Sequence, residues 1–303
     1  MNKKNILLVL MVAVISVLLL AEYLGNKPQQ QKGTWIWDTP AITTQSEEIL
    51  AFASQNDVTH LYLYIDRKNV TPHDYAQFIK EASKQDIKVE ALGGDPSWGW
   101  KEKRPNIQEL IEWVESYNRN VNMDERFTGI HLDIEPYLLP EWKDDQDRVI
   151  EEWLSNLEFA AKEVRSIKRL QITVDLPFWV NKIDVPGYLD YSVSTWMLKR
   201  FDTVVLMDYR DFAEGEDGIV SNALDMVKEA SSMGKSVIVG VEMAKSGEGD
   251  KATFFEEGYQ EMENELEEAH RHFRKQPGFR GFAVHGFPDW KSSYQTNKKG
   301  EKP

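Results

Sequence analysis

Between residues 33 and 290 the chain alternates between two hydrophobic periods, and few folds accept that cadence. Short runs rich in β-branched and aromatic residues occupy 34–38, 60–66, 88–93, 129–135, 170–176, 203–209, 236–242 and 281–285. Amphipathic helical patterns separate them at 47–53, 74–83, 107–117, 149–164, 223–230 and 259–273, and 192–200 reads as a further short helix. Side chains alternate across a strand but return every three to four residues on a helix, so the two periods mark two kinds of element. Strands and helices in strict turn predict an α/β chain with a parallel sheet, and eight of them in about 250 residues predict a (β/α)8 TIM barrel. An open doubly wound sheet would want a glycine-rich turn after its first strand, where this chain reads Trp35-Ile36-Trp37-Asp38-Thr39-Pro40. The barrel domain is expected over 33–290. Residues 291–303 are polar and read as a tail, so the last helix is expected to be reduced or missing.

The N-terminal residues follow different rules. Lys3 and Lys4 precede an apolar run, 6–21, broken only by Ser16 and extended by Tyr23 and Leu24. A helix of that length matches a hydrocarbon core, and the basic flank would stay in the cytoplasm. Residues 1–25 are therefore expected to be an uncleaved signal anchor, 26–32 a linker, and the barrel extracytoplasmic. Cleavage of a signal peptide and secretion is the alternative, although 19–21 and 23–25 supply small residues poorly. The chain has no cysteine, which excludes disulfides, thiolate metal sites and a thiol nucleophile. Its formal charge of −14 argues against a nucleic-acid partner, whose phosphates need a basic patch.

Residues 127–137, Phe-Thr-Gly-Ile-His-Leu-Asp-Ile-Glu-Pro-Tyr, carry the clearest chemical signal. Ile130, Leu132 and Ile134 fall on one face; Gly129, His131, Asp133 and Glu135 fall on the other. In a closed barrel the apolar face meets the helices and the polar face looks inward. Barrel enzymes build their sites at the C-terminal ends of the strands, and those ends here carry Asp38, Asp66, Asp95, Asp133, Glu135, Asp175, Asp208, Tyr209, Glu242 and His285. Carboxyls gathered there repel one another and resist ionising together, which suits acid and base work.

Thr128-Gly129-Ile130-His131-Leu132-Asp133-Ile134-Glu135 resembles the fourth-strand signature of glycoside hydrolase family 18, the chitinase-like barrels, which runs Asp-Gly-x-Asp-x-Asp-x-Glu. Gly129, Asp133 and Glu135 match it; Thr128 and His131 stand where its first two aspartates would. Ala91-Leu92-Gly93-Gly94 looks like that family's third-strand turn, and Leu206-Met207-Asp208-Tyr209 is similar to its sixth-strand Met-x-Tyr-Asp. The resemblance implies Glu135 as the acid that protonates the leaving oxygen. It implies Asp133 as the group orienting a substrate acetamido, whose carbonyl attacks the anomeric carbon, and Tyr209 as a hydrogen-bond partner of that acetamido, with Asp208 beside it. A second resemblance keeps another mechanism open. Ile134-Glu135-Pro136 is similar to the Asn-Glu-Pro of retaining barrel glycosidases, which would make Glu242, ending the seventh strand, the nucleophile.

The remaining candidates are read by position. His60, His131 and His285 lack the spacing of a metal centre, so neither metal nor cofactor is expected, and His60 should lie at the bottom of the barrel. His270 and His272 sit on a charged helix and should be solvated. Trp37, Trp98, Trp100, Trp179 and Trp290 stand at or beyond strand ends, where indoles can stack on sugar rings. Together with Asp38, Asp95, His131, Asp175 and His285 they form the expected substrate-binding set. The expected protein is an exported, membrane-anchored glycosidase acting on a glycan, N-acetyl sugars included. A carbohydrate-binding barrel that has lost turnover is the alternative.

Overall fold

Successive parallel pairings carry the sheet from β1 to β8 and back to β1, closing a barrel. The computed structural model describes residues 30–300. The strands are β1 Gln31–Ile36, β2 His60–Tyr64, β3 Lys88–Gly93, β4 Gly129–Leu132, β5 Gln171–Pro177, β6 Thr203–Met207, β7 Ser236–Glu242 and β8 Phe279–His285. One principal helix follows each: α1 Ser46–Gln55, α2 Pro72–Ser83, α3 Arg104–Asn120, α4 Gln146–Ser166, α5 Val193–Arg200, α6 Ile219–Met233, α7 Tyr259–Phe273 and α8 Phe287–Lys299. The predicted cadence thus becomes a (β/α)8 barrel. The expected signal anchor at 1–25 lies outside the described residues, among which no helix is long and apolar enough to cross a membrane.

Local chemistry explains the boundaries. Thr71 caps α2 through a reciprocal box with Asp74, and Pro72 sits in the first turn, where its missing N–H costs nothing. Ser192 caps α5 by accepting the Thr195 N–H at 3.1 Å. Gly281 lies where β8 meets β1, at φ +141, and a Cβ there would stand 1.9 Å from the Gln31 carbonyl oxygen. Only glycine admits that approach.

Two layers of side chains result. Outward residues such as Ile130, Leu132 and Ile134 join the large apolar layer beneath the helices. Inward residues Trp35, Tyr62, Leu92, Val205, Ile238 and Ala283 fill the barrel itself.

Both ends of the expected barrel domain are corrected. Gln31 and Lys32, assigned to the linker, pair with Gly281 and Phe282 as the start of β1. Residues 291–299, expected as tail, complete a full α8. Polarity misled because a helix on a barrel's exterior needs only a stripe of anchors. Phe287, Trp290 and Tyr294 supply it at helical spacing, and all three meet the Phe52 ring edge-on at 4.9–5.5 Å. Gly300, at φ +71, ends the helix.

Candidate active site

The polar side of β4 continues past the strand into the mouth of the barrel, as its alternation requires. A cavity of about 400 Å³ opens there, lined by Trp35, Trp37, Gly94, Asp95, Pro96, Asp133, Glu135, Met207, Tyr209 and His285. The turn after β3 forms part of its wall. A Cβ on Gly94 would lie 1.6 Å from the Asp133 carbonyl oxygen, so this glycine lets the two strand ends close together. A larger cavity of about 1460 Å³ lies on the outside of the barrel, among residues of α1, α2 and α3, away from this chemistry.

Beneath the cavity, a charged cluster sits among those inward side chains. His131 is fully buried, with Nε2 2.8 Å from Asp175 Oδ1 and Nδ1 3.5 Å from Glu90 Oε2. Burial opposes the cation, but the carboxylates of Asp175 and Glu90 outweigh it and lift the imidazole to about 10. Glu90 is held below the usual range against its own burial, chiefly by His131. Asp175 also accepts the Trp35 indole N–H at 3.0 Å. His131 and Asp175 thus sit under the cavity, joined to each other rather than facing a ligand.

Asp133 and Glu135 stand one step higher. Burial, then the negative charges of Asp175 and Glu135, pushes the Asp133 carboxyl well above its ordinary value, and its Oδ1 is buried with no hydrogen-bond partner. Glu135 is also raised, by burial above all, although the Tyr137 hydroxyl donates to its Oε1 and pulls the other way. A carboxyl that keeps its proton toward neutral pH is what a general acid needs.

Across the mouth, Glu242 and His285 form a dyad, with His285 Nδ1 2.6 Å from Glu242 Oε2. Glu242 Oε1 accepts the Met243 and Ala244 N–H groups at 2.8 and 2.7 Å. Trp37 donates its indole N–H to His285 Nε2 at 3.1 Å, and the Tyr209 ring stacks on the imidazole at 6.0 Å. Asp95 accepts from the Ser97 N–H and hydroxyl, capping the turn that carries it.

Several expected residues lie elsewhere. Asp208 points outward to the helices, accepting from Asn222 Nδ2 at 2.9 Å, because its neighbours Met207 and Tyr209 take the inward positions. Asp38 is exposed at the rim, outside the cavity lining. Trp98 packs on the outer apolar layer, and Arg148 covers the Trp100 ring at 5.1 Å. The buried Asn156 of α4 donates to the carbonyls of both indole residues, at 2.8 Å each. Trp290 is fully buried core. Trp179 stays near the β4 end by meeting Tyr137 edge-on at 5.1 Å, with Trp142 6.2 Å away.

Glu90, Tyr137 and Trp142 were missed. Tyr137 was legible in principle, two residues beyond Glu135 on the same alternation, whereas Glu90 hid between Val89 and Ala91. His60 is buried at the opposite end, held by Gln31 at 3.0 Å and lowered by burial to about 4. Among the described residues, the side chains grouped closely enough to share a cation are Glu214, Glu268 and His272, a surface cluster remote from the cavity.

No family model matches the chain, and no curated protein matches it in sequence. Solved structures do match. The spore cortex-lytic enzyme SleL of Bacillus megaterium superposes over 91% of this chain and 75% of its own, at 12% identity and a TM-score of 0.53. A family 18 chitinase from Cycas revoluta, in complex with (GlcNAc)4, superposes over 88% of this chain and 96% of its own, at 13% identity and a TM-score of 0.53. A chitinase from Bacteroides thetaiotaomicron gives 84% and 89%, at 11% identity and a TM-score of 0.52. These likenesses show a shared (β/α)8 barrel fold, one that a family 18 chitinase also has.

Proposed function

We propose that the chain hydrolyses glycosidic bonds of a glycan with Glu135 as the general acid. The observation that carries this reading is the raised Glu135 carboxyl beside a raised Asp133 in one aromatic-lined cavity at the C-terminal ends of the strands. Trp37 and Tyr209 give a sugar ring apolar faces to stack on, and Asp133 lines the same cavity. The similar folds include chitinases and a cortex-lytic enzyme, so N-acetyl-sugar polymers are the first substrates to test. The retaining alternative, with Glu242 as nucleophile, is disfavoured. Both of its oxygens are taken by hydrogen bonds and it does not line the cavity. Export and anchoring through residues 1–25 complete the proposal, on the apolar run of the sequence alone.

The test is a screen of the purified full chain against chitin oligomers, peptidoglycan and neutral α- and β-glucans, repeated with Glu135→Gln. Hydrolysis that the variant abolishes while still binding the same oligomer supports the reading. Binding without hydrolysis by the unmodified chain would make it a carbohydrate-binding barrel.

A further inference from the structure

The proposed acid leaves open what attacks the sugar, and the far side of the cavity offers a candidate. Glu242 Oε1 already accepts two backbone N–H groups, so its Oε2 must accept from His285 Nδ1–H. In the neutral ring that tautomer leaves Nε2 bare. Trp37 agrees with it, because its indole N–H can only donate, and it donates to Nε2. The half-exposed Trp37 is a replaceable partner: it lies at the rim, 40% accessible, where an entering sugar would meet it first. His285 therefore presents an oriented lone pair to the cavity that Glu135 also lines.

Position then decides the role. Strand order places β8 four strands from β4 in either direction around the closed barrel, so His285 and Glu135 approach the cavity from opposite sides. An acid and a base on opposite faces of a sugar, separated by about 6.5–9.5 Å, leave room for a water between base and anomeric carbon. A nucleophile that attacks directly must stand closer.

We infer that His285, oriented by Glu242, is the general base that activates water, and that hydrolysis inverts the anomeric configuration. This inference rests on the proposed glycosidase reading. His285 Nε2 takes one proton from water as its oxygen bonds to the anomeric carbon. The bond to the leaving oxygen breaks, and that oxygen takes the proton from Glu135. The product carries the hydroxyl on the opposite face, Glu135 is left as carboxylate and His285 as imidazolium, and solvent restores both. Glu242 is a positioning residue: it fixes the tautomer and stabilises the cation that forms. No acetamido group is required of the substrate.

The charged groups facing His285 are Glu242 on β7, Asp175 on β5 and Glu135 beyond β4, with the Tyr209 phenol beside it. Burial lowers the imidazole, but the Glu242 hydrogen bond and these negative charges outweigh it and raise it above the ordinary value. Glu242→Gln should therefore move the limb of the pH–rate profile set by His285 to lower pH.

The deciding measurement is the anomer first released, read by proton NMR during hydrolysis of a defined oligosaccharide that the full chain cleaves. Inversion is expected. His285→Gln should lower turnover by about 10²–10⁴-fold while leaving oligosaccharide affinity within a few fold. Retention, or near-normal turnover in folded His285→Gln, overturns the inference and leaves the glycosidase reading intact. Ring nitrogen-15 shifts of labelled histidine give a readout that needs no substrate. Nδ1–H with a bare Nε2 is expected for His285, and the opposite tautomer overturns the base. Absence of hydrolysis across the whole glycan panel overturns the proposed function and this inference together.

Discussion

The barrel carries its buried polar groups in two tiers, and the tiers treat the same residue types in opposite ways. In the lower tier, Glu90, His131 and Asp175 answer one another, so the imidazole stays charged and Glu90 stays ionised. In the upper tier, Asp133 and Glu135 form no ion pair, and burial outweighs the nearby imidazoles of His131 and His285, so both carboxyls are driven toward their neutral forms. The two tiers are adjacent on one strand: His131, Asp133 and Glu135 alternate along a single face. Pairing makes a buried charge structural, whereas leaving it unpaired makes it available for proton transfer.

The sharpest way to break this contrast is Glu135→Gln. It should remove about 10²–10⁴-fold of turnover with little change in melting temperature, as steady-state kinetics and calorimetry would show. A variant that melts early instead would put Glu135 in the structural tier. The complementary change, His131→Leu, strands two carboxylates and should cost about 3–5 kcal/mol in a urea titration.

The pH dependence of the lower tier has a definite sign. His131 titrates near 10 in the folded chain and at about 6.5 when unfolded. Its contribution is fully present below about 6.5 and is lost as pH rises through 10. Melting temperature should fall over that window, and His131→Gln should flatten the fall.

Asp208 tests the rule outside the barrel. It has one partner, Asn222, and burial first of all lifts its carboxyl to about 8. A folded value above the unfolded one means that Asp208 costs stability increasingly as pH climbs from about 4 through 8. Asp208→Asn should therefore raise stability by about 1–3 kcal/mol at pH 8 and change little at pH 4, measured by denaturant titration. The smallest effect is expected for Trp37→Phe. Phe keeps an aromatic face but offers a smaller one than indole, which should weaken oligosaccharide binding by about 1 kcal/mol in isothermal titration.

Most of the fold could be read from the sequence because a parallel barrel repeats one simple instruction. Strands β3 and β7 and helix α7 begin and end where periodicity places them. The misreadings have a common physical origin. α8 holds on with a few aromatic anchors, too sparse a stripe to stand out among its lysines and serines. The site was legible where alternation continues through the strand end, which correctly turned Asp133 and Glu135 inward. It failed at Asp208, because strand phase rather than motif similarity decides which of two neighbouring residues faces the cavity. Trp98, Trp100 and Trp290 show the same limit. A position near a strand end does not reveal whether an indole turns toward the mouth or toward the helices.

The Glu90, His131 and Asp175 cluster has a consequence for how the sheet assembles. Each member comes from a different strand, β3, β4 and β5, and the three meet only when Leu92 stands beside His131 and His131 beside Thr173. The apolar outer faces of these strands are rich in similar aliphatic residues and would tolerate a slide of two positions. The charges would not, since such a slide would separate the imidazolium from both carboxylates and bury all three alone. The cluster therefore acts as a registration pin: it discriminates against misaligned barrels that the hydrophobic layer alone would accept.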